Sequence, residues 1–137
     1  MRRFTRWLFA SPQSPPTAWG VVAWWEVRRI PFNIIVGTYG VLCLVAFFWA
    51  IGTSGHLQEG EDAVEPLALL AAPFVINALY TLGWLVEAPA RLAHPALPLG
   101  FGSMLLKLGF SLGLGLITLP AAFWVGWRIL QIGGLVR

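Results

Sequence analysis

The sequence predicts an all-α integral membrane fold: three transmembrane helices preceded by a short N-terminal interfacial helix. Three observations predict it. Of 137 residues, 58% are hydrophobic and 11% are charged, against about 25% charged in soluble domains. Three stretches of twenty or more residues carry no charge, which is the length a helix needs to cross a hydrocarbon core about 30 Å thick. Eight tryptophans lie ahead of the first stretch or near the stretch ends, where an indole keeps its ring among headgroups and its N–H in water. A chain this short cannot hide so much apolar surface in a core of its own. The sequence has no repeat and reads as a single membrane domain over 1–137.

Residues 1–16 open with Arg2-Arg3, but the apolar stretch Trp7–Ala10 is too short for a secretory signal and runs into Pro12, Pro15 and Pro16. An uncleaved, irregular cytoplasmic tail is expected there. Residues 17–29 predict the interfacial helix. Thr17 serves as its N-cap. Val21, Trp24, Trp25 and Arg28 recur at helical spacing, and Glu26 and Arg29 are placed to pair across one turn. Trp24, Trp25, Arg28 and Arg29 are the expected interface anchors. Pro31 predicts a bend before the first span, 32–52, whose start Asn33 would cap.

The acidic loop 53–65 holds four of the six acids. Pro66 opens the second span, 66–86, suiting a helix's first turn. A proline-rich connection, 87–106, leads to the third span, 108–127, which Arg128 ends. Arg2, Arg3, Arg6, Arg28, Arg29, Arg91 and Lys107 fall on one side of these spans, Arg128 and Arg137 on the other. Basic residues favour the cytoplasmic side, so the N-terminus is expected in the cytoplasm. The net charge of +3 and pI near 9.8 come from residues flanking apolar stretches, so the expected partner is anionic lipid, not nucleic acid.

The third span carries a row of small residues: Gly109, Ser111, Gly113, Gly115, Thr118, Ala122 and Gly126. Small side chains let helix backbones approach closely in lipid. The expected partner is a span of the same chain first, another protomer or subunit second. Pro120 predicts a kink, with Thr118 near enough to satisfy groups the proline frees. In the second span Asn77, Tyr80, Thr81 and Glu87 are the polar intramembrane residues. Asn77 reads as helix–helix glue with no strongly polar residue at matching depth in the other spans. Glu87 is expected to pair with Arg28, Arg29, Arg91 or Lys107, because an unpaired charge there is costly.

Cys43, the single cysteine, reads as an inert small hydrophobe. His56 and His94 fall in loops, so no histidine-ligated metal, haem or pigment is expected within the spans. Ser-His-Asp, HExxH, GxSxG and P-loop patterns are absent from the sequence. The chain therefore reads as a non-enzyme with no cofactor: a structural or accessory subunit packing through its transmembrane helices. The alternative is a homo-oligomeric channel or small transporter with a polar path on the second span.

The stretch Trp24-Trp25-Glu26-Val27-Arg28-Arg29-Ile30-Pro31-Phe32-Asn33, followed by Ile34-Ile35-Val36-Gly37, resembles the lead-in to the first span of small, uncharacterised bacterial multi-pass membrane proteins. An aromatic pair, a glutamate, a basic pair and an aromatic-Asn step carry the likeness, and Pro31 departs from it. The resemblance implies a bacterial inner-membrane location and no known activity.

Overall fold

The computed structural model describes residues 2–12, 16–55 and 66–136. Among these residues there are four helices and no strand: α1 (Arg2–Leu8), α2 (Ala18–Ser54), α3 (Pro66–Ala93) and α4 (Phe101–Ile132). Helices α2, α3 and α4 are long and apolar enough to cross a membrane. Most of the acidic loop, residues 56–65 with His56, lies outside the described residues.

The helices depart from expectation at their ends. Residues 2–8 form a helix instead of an irregular tail. The expected interfacial helix over 17–29 is not a separate element. Thr17 does cap, its Oγ1 accepting from Gly20 N–H at 3.1 Å, but the helix it opens runs 37 residues, straight through Pro31. Proline inside a helix costs about 3 kcal/mol through one lost hydrogen bond and a ring clash. Against that, Val21, Trp25, Arg28, Phe32 and Val36 form one unbroken buried face that spans the proline. Helix α3 likewise passes Pro89 to reach Ala93, and α4 starts at Phe101, so the proline-rich connection shrinks to 94–100. Helix α4 continues through Pro120. The Thr118 hydroxyl donates to the Leu114 carbonyl at 2.6 Å, not to the Leu116 carbonyl that Pro120 frees.

Helices α2 and α4 run parallel. Phe32 meets Phe110 with ring centroids 4.8 Å apart, Tyr39 shares a hydrogen bond with Thr118 at 2.6 Å, and Arg128 donates to Thr53 at 3.1 Å. Helix α3 is antiparallel to α2, matching Trp25 with Glu87, Arg29 with Thr81 and Asn33 with Asn77. The main core joins Val21, Trp25, Phe32 and Val36 of α2 to Tyr80, Leu106 and Phe110, and Leu8 of α1 closes it. A second cluster, Phe47, Ile51 and Ala121 with Cys43 and Trp124, belongs to α2 and α4 alone.

Register explains why α3 is missing from the second cluster. With Asn77 level with Asn33, counting back at equal rise sets Pro66 beside roughly residue 44 of α2. Helix α2 continues to Ser54, so α3 begins below the second cluster. Its opening stretch leaves Leu67, Leu70, Phe74 and Val75 exposed.

Candidate functional site

Three features stand out: a densely bonded charged end, an apolar groove beyond it, and the outward faces of α4.

The charged end begins with α1. The last carbonyls of a helix have no partners within it. Arg28 supplies them: its Nε donates to the Leu8 carbonyl at 2.9 Å and its Nη2 to the Trp7 carbonyl at 3.0 Å. Its Nη1 donates to the Trp24 carbonyl at 2.9 Å. The guanidinium lies over the Trp24 and Trp7 rings, 4.0 and 5.0 Å from their centroids, a favourable cation–π geometry. A cation at a helix C-terminus also complements the helix dipole. Arg28 is thus 7% exposed and, among the described residues, meets carbonyls and rings in place of a carboxylate. Trp24 adds a bond from its indole N–H to the Ala10 carbonyl at 3.2 Å.

Glu87 is 2% exposed. Its Oε1 accepts from Arg91 at 2.7 to 2.8 Å, and its Oε2 accepts the Trp25 indole N–H at 2.7 Å. Two glycines make the space. A Cβ at Gly83 would overlap the Trp25 ring, and a Cβ at Gly102 would overlap the Glu87 carboxylate. Tyr80, its ring between Trp25 and Phe32, donates its hydroxyl to the Trp25 carbonyl.

A third set crosses from α2 to α3. Glu26 accepts two bonds from Arg29, each 2.7 Å. Arg29 also donates to Thr81 at 3.1 Å and, more weakly, to Asn77 at 3.4 Å. Asn77 Oδ1 accepts from the Asn33 amide at 3.0 Å, while the Asn77 amide donates to the Pro73 carbonyl at 3.0 Å. Together these bonds clamp α1, α2 and α3 at this end.

Several expected roles change. Trp25 and Arg28 are not interface anchors but buried core residues, because α2 turns their face toward α3 and α4. Trp24 is half-buried beneath Arg28, and Arg29 lies partly exposed on the Glu26 pair. Asn77 is not alone at its depth: continuity through Pro31 slides the centre of α2 toward its N-terminus and brings Asn33 and Arg29 level with it. Asn33 is therefore a mid-helix partner, not a cap. Lys107 is exposed and lies 5.9 Å from the Phe9 ring centroid; Glu87 takes Arg91 instead. Leu8, Gly83 and Gly102 were not singled out by the sequence.

Beyond Asn33 and Asn77, α3 diverges from α2 and α4 and leaves a groove of about 670 Å³. Val36, Gly40 and Phe47 of α2, Ala72 and Ile76 of α3 and Ile117 of α4 line its length. Asn33 and Asn77 are the polar groups in its wall.

The small residues of α4 do not pack within the chain as expected. Among the described residues, nothing lies within 4 Å of a Cβ built at Gly109, Gly113, Gly115 or Gly126, and Ser111 and Ala122 are exposed. At about 100° per residue, Gly109 and Gly113 fall on one side of the buried stripe through Leu106, Phe110 and Ala121. Ser111, Gly115, Ala122 and Gly126 fall on the other. Thr118 bonds to another helix, through Tyr39.

No known protein family, curated protein or solved structure matches this chain.

Proposed function

We propose that the chain is a multi-pass membrane protein with three spans and a cytoplasmic charged end, acting as a structural or accessory subunit that packs against other transmembrane helices. The resemblance of the 24–37 stretch supports placing it in a bacterial inner membrane. The observation that carries the subunit reading is the outward side of α4. Ser111, Gly115, Ala122 and Gly126 recur there at helical spacing, and among the described residues nothing lies within 4 Å of a Cβ built at either glycine. Helices associate in lipid through close backbone approach at small residues, since tails are as apolar as the side chains they would displace. Asn77 and Thr81, which a polar conduction path would need, are engaged in ties between α2 and α3. That favours the subunit reading over a channel.

Gly113→Leu and Gly115→Leu test it. Each has free space within the chain and gains helix propensity of up to about 1 kcal/mol, so the monomer stays folded. Native mass spectrometry of the particle released from mild detergent should show lost partners or lost copies in the Gly115→Leu variant at least. Wild-type mass in both variants overturns the reading.

A further inference from the structure

The expected lipid anchors Arg28 and Arg29 are engaged inside the bundle, Arg28 by the α1 carbonyls and Arg29 by Glu26. A different cationic face stands outward, on α1. Arg2, Arg3 and Arg6 are exposed. Among the described residues no carboxylate is left for them, because Glu26 and Glu87 are taken by Arg29 and Arg91. At about 100° per residue, the three arginines share one face of α1. Leu8, buried in the core, points roughly the opposite way. Phe4 and Trp7 fall on a flank between the two faces, both exposed, with ring centroids 5.9 Å apart.

The fastening of α1 sets its height on the bundle. Arg28 holds the Trp7 and Leu8 carbonyls, and Lys107 Nζ lies 5.9 Å from the Phe9 ring centroid. Just beyond this level α2 and α4 lose their charges: none occurs over 30–54 or 108–127. In a membrane-inserted bundle that transition marks the headgroup boundary. A helix held there with cations on one face and aromatic rings beside them has the make-up of an interfacial helix. The guanidinium fork also matches the oxygens of a phosphate. We propose that Arg2, Arg3 and Arg6 of α1 bind the phosphate groups of anionic phospholipids, with Phe4 and Trp7 seated among the headgroups. Nucleic acid is a second polyanion that arginines take, but α1 is tied at the level where lipid phosphates lie. The proposal rests on the three helices being inserted in a membrane, and it concerns a different surface from the outward side of α4.

The test is native mass spectrometry of the full chain released from nanodiscs of equal parts palmitoyl-oleoyl phosphatidylglycerol and palmitoyl-oleoyl phosphatidylcholine. The two lipids share their tails and phosphodiester and differ in net charge. Wild-type chains should retain mainly phosphatidylglycerol. In the combined variant Arg2→Gln, Arg3→Gln, Arg6→Gln, the ratio of retained phosphatidylglycerol to phosphatidylcholine should fall at least about fivefold, the factor one cation contributes beside an anionic surface. Among the described residues these three side chains make no bond to the rest of the chain, so the variant stays folded. Arg128→Gln, whose cation at the other end is tied to Thr53 and Gln131, should lower the ratio far less. A wild type without preference for phosphatidylglycerol overturns the proposal, as does a combined variant that keeps the wild-type ratio. An Arg128→Gln variant that loses as much as the combined one also overturns it, since the preference would then follow overall charge. If the embedded wild type prefers neither lipid but captures fluorescein-labelled single-stranded RNA, and the combined variant does not, the arginines face nucleic acid and the proposal fails. Failure of the chain to enter nanodiscs at all would instead overturn the membrane reading itself.

Discussion

The two ends of this helix bundle hold together by different means. At the charged end, Glu87, Arg91, Trp25 and Tyr80 bridge α3 to α2, Gly83 and Gly102 make room for the Trp25 ring and the Glu87 carboxylate, and Arg28 fastens α1 on top. At the far end, α2 and α4 stay together through Tyr39–Thr118 and Thr53–Arg128, whereas α3 leaves a groove along its opening stretch and by register stops short of Thr53 and Arg128. The reason is legible in α3 itself. From Leu67 to Ile76 it has no polar side chain, and apolar surface alone gives helices little reason to associate in lipid. Polar ties fix where these helices meet, and their absence along α3 leaves the groove.

The most severe way to break the contrast is Glu87→Leu. It strips a buried Arg91 of its carboxylate and the Trp25 indole of its acceptor, and breaking such a buried pair costs about 3–5 kcal/mol. Reversible unfolding in a detergent mixture should show that loss, whereas Arg128→Ala at the far end should cost less than about 1 kcal/mol, because its Thr53 bond is exposed and its Gln131 bond is long, at 3.4 Å. Equal losses would mean the charged end is no clamp. Gly102→Ala comes next. Its Cβ overlaps the Glu87 carboxylate, and overpacking of this kind costs about 1–3 kcal/mol. The same measurement checks it.

Smaller still is Asn77→Leu. Interhelical polar contacts in membranes average about 0.6 kcal/mol, so stability should barely fall. The conformational effect sharpens the comparison, because Asn77 is the last tie before α3 diverges. Spin labels on the single native Cys43 and on Phe74→Cys should report a longer and broader distance distribution in the Asn77→Leu variant. An unchanged distribution would show that something other than the Asn33–Asn77 bond sets the groove.

Much of the fold can be read from the sequence: three long apolar helices, the Thr17 cap and the Glu26–Arg29 pair. Pro31 misleads because a lone proline is a local signal, while the face from Val21 to Val36 that overrides it is a tertiary one. The same shift in α2 hides the Asn33–Asn77 match. Arg28 looks like a lipid anchor because basic residues beside tryptophan usually are. Its actual partners are backbone carbonyls of a preceding helix, which no side-chain pattern encodes. Gly83 and Gly102 carry no signal of their own, since each is explained only by the side chain facing it from another helix. The row of small residues on α4 is visible as spacing, but whether it faces inward depends on the stripe through Leu106, Phe110 and Ala121.

One pair of identical substitutions tests the contrast most directly: Gly83→Ala and Gly37→Ala, unfolded side by side in the same detergent. At Gly83 the added methyl overlaps the Trp25 ring; at Gly37 it meets nothing within 4 Å. Both gain helix propensity of about 1 kcal/mol. Gly83→Ala should nonetheless lose about 1–3 kcal/mol net, and Gly37→Ala should be unchanged or slightly more stable. Equal changes in the two variants would contradict a tightly packed charged end facing an open apolar one.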